Sequence, residues 1–376
     1  MTKARILADY VDAGDELALK APLASPTFTG ITTTPSLVVT PGSAPATTEG
    51  SMYYDSGSDV VKVYNGSSWN TISNFPYKTA GGIVTSYTSG SDTYIVHTFL
   101  ETGKFFVHSS TTIDYLIVGG GGGGGGDMGS GNNGNAGGGG AGGMLVATSY
   151  SIAVGEYLIT VGAGGPNSRT ANGGSSSIAS LFVAHGGGHG GSYAGDTNTP
   201  GSGDGTVGSA GGQGQGGSTT AGFTGTPAQG NFGSPWTGNN NGYGGGGGGG
   251  AGSAGFEQTG TNGSTGGNGG SALGNAFRTG MTQYYAGGGA GSTHDAYNTG
   301  GLGGNTRDFL VKGGGADGKW GQGGGHGVQG GAVWASNGLP NTGGGGGGGE
   351  GGGSGAANGQ RSGDGGSGIV VIRYIL

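Results

Sequence analysis

Residues Gly313-Gly314-Gly315-Ala316-Asp317-Gly318-Lys319 satisfy the first seven positions of a P-loop, in which backbone amides cradle phosphates and a hydroxyl residue after the lysine holds Mg²⁺. Trp320 stands where that hydroxyl is needed and no helical periodicity follows, so nucleotide chemistry is not expected. His185 and His189 have the i, i+4 spacing that sets two imidazoles on one helix face for zinc, but Gly186 to Gly188 between them argue against a helix. His294-Asp295 could relay a proton, yet no nucleophile or second carboxylate lies nearby in sequence, and His97, His108 and His326 sit apart. Asp204, Asp317 and Asp364 each precede glycine as in calcium-binding repeats, but without a tandem register. The many G-x-G-x-x-G matches lack the strand-turn-helix context that gives them meaning. No catalytic residue, metal-ligand set or cofactor is expected, and the chain reads as a non-enzyme.

The elements that would position any site are unusual in composition. Glycine supplies 107 of 376 residues, only 9% of residues are charged, and there is no cysteine, which removes thiolate chemistry and disulfides. Eleven prolines and no Gly-X-Y period rule out collagen. A net charge of −7, with 13 Lys and Arg scattered singly, offers no basic patch, so nucleic acid is not an expected partner. No run of about 18 apolar residues and no secretory h-region is visible, so neither membrane insertion nor an export signal is expected.

Ten glycines precede residue 119 and the other 97 fall in the remaining 258 residues. Ordering glycine costs roughly 1–2 kcal/mol of backbone entropy per residue, with no side chain to bury in return. Left-handed threefold helices packed side by side offer an offset, because they leave backbone N–H and C=O groups free to pair between chains, and glycine alone permits the close approach. Each bond nets only about 1 kcal/mol, so a cooperative bundle is required. The main runs are 119–126, 137–143, 186–191, 244–250, 287–291 and 343–353.

The fold class expected is mostly β and irregular: a short N-terminal helix, a small β-meander, then a β-framed Gly-rich domain holding a bundle of polyglycine II helices. The division is 1–45, 46–75 and 79–376. Ile6, Leu7, Tyr10 and Val11 form a short apolar helical stripe, suited to attachment or self-association. Leu19 to Gly30, with Pro22 and Pro26, favours extended chain and resembles a connector of bacteriophage tail-fibre proteins. Residues 50–72 hold β-branched and aromatic runs with Asn65-Gly66 between them, which predicts a type I′ hairpin inside a three-stranded meander with Trp69 in its core. This module, too, is similar to one in phage fibres. Strands are expected at 93–99, 104–108, 113–118, 144–148, 152–161, 177–184 and 368–374.

The order Gly103-Lys104-Phe105-Phe106-Val107, Tyr115-Leu116-Ile117-Val118 into eight glycines, Val161-Gly162-Ala163-Gly164-Gly165, and a closing Gly368-Ile369-Val370-Val371-Ile372-Arg373-Tyr374 resembles the glycine-rich domain of phage tail-fibre and adhesin proteins. That resemblance implies a virion protein exposed to the medium, other tail proteins and a host outer-surface protein or glycan as partners, and a homo-oligomer, with a trimer favoured. If consecutive runs alternate in direction, loops 218–243, 271–286, 305–312 and 332–342 share one end. That end carries Phe223, Phe232, Trp236, Tyr243, Phe277, Tyr284, Tyr285, Phe309 and Trp334, and is the expected receptor-binding tip. The opposite end would carry Phe256, Tyr297 and Trp320. The competing reading is a purely structural Gly-rich fibre. Ice binding is disfavoured by long aromatic loops and few regularly spaced threonines.

Overall fold

The computed structural model describes residues 47–55, 60–72, 78–126, 135–167, 171–192, 208–214, 229–235, 244–257, 266–292, 310–311, 324–325, 327–328, 335–349 and 362–376. Ile6, Leu7, Tyr10 and Val11 lie outside them. The chain divides into two compact units, 1–76 and 77–376, and no helix occurs among the described residues.

In the first unit β1 (Met52–Asp55), β2 (Val60–Tyr64) and β3 (Trp69–Ile72) form an antiparallel meander. Trp69 meets the Tyr53 ring edge-on at 4.8 Å and the Tyr64 ring at 5.4 Å. The turn differs from the type I′ expectation. Four residues separate Tyr64 from its partner Trp69, only Gly66 has positive φ (92°), and the Asn65 side chain accepts the Ser67 and Ser68 amides at 3.0 and 2.8 Å. An Asx turn satisfies the loop where a two-residue hairpin would have had to place Asn65 at φ > 0 as well.

The second unit opens with β4 (Thr79–Ala80), β5 (Ile83–Ser89), β6 (Asp92–Phe99), β7 (Gly103–Val107) and β8 (Thr111–Val118), and continues with β9 (Met144–Ile152), β10 (Gly155–Thr160), β11 (Ser176–Ile178) and β12 (Phe182–Ala184). Two-stranded pairs follow, β13 (Leu273–Asn275) with β14 (Gln283–Tyr285) and β15 (Leu310–Val311) with β16 (Gly327–Val328), and β17 (Ile369–Ile375) closes the chain. One five-stranded sheet has the order β5-β6-β17-β8-β9 and the other β12-β11-β10-β7-β4, all antiparallel.

Ile95, Phe99, Ile113, Ile117, Val370 and Ile372 of the first sheet share one core with Phe105, Val107, Ile159 and Ile178 of the second. The opposite face of the first sheet buries Val96, Leu116, Val118, Ile369 and Val371 against Ala141, Tyr285 and Ala286. Burial on both faces explains why the closing strand reads Ile-Val-Val-Ile without alternation.

β8 runs directly into the first glycine run. Gly119, Gly122 and Gly125 donate their amides to Gly143, Gly140 and Gly137, Gly121 and Gly124 donate to Gly366 and Gly363, and Gly120 donates to Gly174. The same run accepts from Gly187 and Gly190, from Gly346 and Gly349, and from Gly165. Every third residue thus faces the same neighbour. Segment 244–250 repeats the scheme, donating to 289 and 292, 210 and 213, and 253 and 256, while accepting from 267 and 270, 138 and 141, and 234. These runs are buried, and among the described residues their backbone polar groups pair with backbone groups of neighbouring segments, with the Asn231 side-chain amide donating to the Gly250 carbonyl at 2.7 Å, as a buried backbone requires.

Where the second sheet turns into the first, Gly81 and Gly82 (φ 115° and 61°) form the corner. His97, fully buried, ties it: Nδ1 donates to the Gly81 carbonyl at 2.7 Å, which leaves Nε2 to accept from Thr79 Oγ1 at 2.7 Å. Phe105 and Tyr374 flank the ring, and burial lowers its pKa, against a smaller raising effect of the Gly81 hydrogen bond.

Two outcomes follow from these arrangements. A Cβ on Gly247 would overlap the Asn268 carbonyl, so Gly247→Ala should lower unfolding stability by about 1–3 kcal/mol. The outward-facing Ala163 should accept Val within about 0.5 kcal/mol; chemical denaturation compares the two. For His97, the unfolded chain takes up a proton near pH 6.5 that the folded chain resists, so stability should fall as pH drops below 6.5, by up to about 1.4 kcal/mol per pH unit. His97→Gln should lessen that slope in the pH profile of the unfolding midpoint, the remainder coming from His189, whose pKa burial also lowers.

Candidate functional site

The hydrogen-bond registers fix the direction of each run. With 119–126 leading away from the sheets, 187 and 190 donate to 120 and 123, 188 and 191 donate to 209 and 212, and 210 and 213 donate to 231 and 234. Segments 185–192, 208–214 and 229–235 therefore all run the same way, and strict alternation fails. Segments 162–167, 171–174, 253–256 and 335–339 are further passes that glycine content alone does not reveal, because side chains occupy part of each.

The sorting of loops by parity is corrected accordingly. Segment 244–250 descends toward the sheets, since 246 and 249 donate to 213 and 210. Residues 235 and 244 thus both lie at the end remote from the sheets, as do 126 and 135, 257 and 266, and 349 and 362. β13 and β14 lie at the sheet end, so loops 218–243 and 271–286 do not share an end.

The aromatic residues divide in the same way. Tyr285 is only 2% exposed, belongs to the second core, and has its pKa raised chiefly by burial. Tyr284 is half-buried opposite Gly274, and Phe277 is half-buried beneath the Arg373 guanidinium, 3.9 Å from its ring centre. These three belong to the sheet end and not to a shared tip. Phe232 is exposed on the flank of the bundle, near Phe256. Gly255 donates to the Phe232 carbonyl. Phe223, Trp236, Tyr243, Phe309, Trp334, Tyr297 and Trp320 lie outside the described residues, as do 313–320 and His294-Asp295. His189, 8% exposed, sits within its run with Nδ1 3.1 Å from the Gly190 carbonyl, and burial lowers its pKa.

A polar layer closes the remote end of the lattice. Asn135, Gln213, Ser234 and Ser292 are all buried there. Ser292 Oγ accepts the Ala136 amide at 2.9 Å and lies 2.9 Å from the Gly349 carbonyl. Ser234 Oγ donates to the Pro235 carbonyl at 3.0 Å, so Ser292 and Ser234 serve terminal backbone groups as an N-cap serves a helix.

Outward positions of the peripheral runs recur every third residue: Ala163 and Pro166, Phe232 and Pro235, Asn268 and Ser271, Asp364 and Ser367, each pair exposed or half-buried with at least one buried position between its members. This X-Gly-Gly-X or X-Gly-Ser-X spacing was present in the sequence and marks passes that total glycine content obscures.

The matching family model is the Glycine-rich domain, over residues 100–375. The chain belongs to that family. No curated protein matches it.

At the sheet end Arg373 pins the β13–β14 hairpin to the first sheet. Its guanidinium reaches Asp114 Oδ2 at 2.8–2.9 Å, donates to the Tyr87 hydroxyl, and lies over the Tyr94 and Phe277 rings. Arg373→Met should cost about 2 kcal/mol, below the roughly 3–5 kcal/mol of a fully buried pair, because both side chains keep some exposure (14% and 17%). Amide exchange of residues 273–285 should rise more than that of β17 itself.

Proposed function

We propose that this chain is a bacteriophage tail-fibre tip protein in which a bundle of polyglycine II helices carries host-binding loops. The observation that carries the scaffold reading is the three-residue repeat of hydrogen-bond partners along 119–126 and 244–250, the period of a polyglycine helix. Among the described residues of the runs only Gly343 has positive φ (69°), which accords with a left-handed threefold helix. The phage reading rests on the fibre resemblance of the connector, meander and strand-glycine order. Membership of the Glycine-rich domain family is compatible with it.

In this reading residues 1–45 attach the protein to other tail proteins or to further copies through Ile6, Leu7, Tyr10 and Val11. The segments bridging 126 to 135, 235 to 244, 257 to 266 and 349 to 362 face a host protein or glycan. Among the described residues the lattice bonds join backbone groups of the runs, so in this reading loop sequence is free to vary with the receptor. Trp236 and Tyr243 head the binding set, since they border the two points where one such segment leaves and re-enters the bundle. Tyr and Trp offer large contact area for little lost conformational freedom.

The test is binding of fluorescently labelled full-length protein to a panel of bacterial strains. Trp236→Ala with Tyr243→Ala should weaken binding at least tenfold, as loss of hot-spot residues worth about 2 kcal/mol each implies, with the unfolding midpoint unchanged. Leu158→Ala with Leu181→Ala at the sheet end should leave binding intact. Binding that is indifferent to both pairs would favour the structural-fibre reading.

A further inference from the structure

Each edge of the two five-stranded sheets except one carries a device that blocks further pairing. β4 is only two residues long. β12 is capped by Gln229, whose Nε2 donates to the Val183 carbonyl at 3.0 Å and whose Oε1 accepts the His185 amide at 2.9 Å. β9 is broken by a bulge at Ser149, which has φ 59° and donates its amide to Asp114 Oδ1 at 3.0 Å. Short edges, capped edges and bulges are the means by which natural sheets avoid unwanted strand addition.

β5 has none of these. It is seven residues long, Ile83-Val84-Thr85-Ser86-Tyr87-Thr88-Ser89, with no charge, no proline and no register shift against β6. All but Tyr87 are exposed, Ile83 at 53% and Val84 at 44%. Its backbone pairs with β6 on one side and, among the described residues, with nothing on the other. The composition is that of a strand built for a second neighbour.

We propose that β5 is a homodimerisation edge, pairing antiparallel with β5 of a second copy about a twofold axis at Ser86. The strand itself argues for this occupant. The register that engages all seven residues sets Ile83 against Ser89, Val84 against Thr88, Thr85 against Tyr87, and Ser86 against itself. The Thr–Tyr pairs are of the favourable β-branched and aromatic kind. A chain of net charge −7 repels its own copy, and an uncharged strand is where two copies meet without opposing like charges. An isologous contact also closes on itself, so it uses both edges without seeding a fibril. The pairing is twofold, unlike the threefold association that the fibre resemblance implies, and it stands independently of any receptor.

The absence of cysteine gives a direct test. Full-length Ser86→Cys, oxidised at low concentration, should form a covalent dimer in high yield, because the two residues face each other. Ser89→Cys should not, because in this register the two copies of residue 89 are separated by about six residues of strand, or roughly 20 Å. Light scattering of the unmodified chain should give twice 35.7 kDa. Ser86→Lys and Ser86→Glu should each be monomeric, and their mixture should restore the dimer, which also shows that both variants fold. A monomeric parent chain, equal cross-linking at 86 and 89, or a dimer indifferent to Ser86→Lys would overturn the proposal.

Discussion

The structure depends on the approach of one backbone to another at a distance that no side chain allows. Along 119–126 and 244–250 a Cβ would collide with a neighbouring carbonyl at nearly every position. At that closeness the amides of each run donate to three neighbouring segments and its carbonyls accept from three others. Hydrogen bonds normally supplement a hydrophobic core; here they replace one. A single bond nets little against the entropy of ordering glycine, so the lattice exists only as a whole.

The sheets supply what the glycines lack. Phe105, Ile113, Leu116, Ile159 and Ile372 form ordinary apolar cores, and β8, β9 and β17 pass straight into or out of runs that begin at Gly119, end at Gly143 and end at Gly368. Strand pairing fixed by side chains thereby sets where the first lattice bonds form. His97 at the sheet corner and Arg373 at the hairpin are polar pins within this apolar end. Their role is to hold the base on which the bundle stands.

Much of the second unit could be read in the sequence, because its strands are long, β-branched and bounded by glycine. β6, β7, β8 and β17 lie within two residues of the expected positions. β5 was missed because its pattern of Thr and Ser around Tyr87 lacks the apolar alternation of a half-buried strand, which is the same property that leaves it exposed. The stretch 177–184 proved to be two three-residue strands about Ala179, which has φ 47°, a turn that no glycine or proline announces. Run direction could not be read at all, since the alternation expected of hairpins does not bind glycine runs that accept parallel and antiparallel neighbours alike. For that reason the alternation expected from the sequence places Phe277, Tyr284 and Tyr285 at an end they do not occupy.

The polar layer formed by Asn135, Gln213, Ser234 and Ser292 has a consequence for how the chain finds its native alignment. The interior of a run of identical residues contains no information about its own phase: sliding 244–250 by one position places glycine on glycine at all but the terminal position, where Tyr243 or Ala251 enters. What distinguishes the correct phase is the side chains at the ends of the runs, much as the teeth at the two ends of a zip determine whether it closes evenly. Slips of one residue turn every later amide by a third of a revolution toward the wrong neighbour. Slips of three keep the partner pattern but carry Tyr243 or Ala251 and Ser253 into places where only glycine fits. The alignment of such a bundle is therefore written in the few residues that interrupt its glycine.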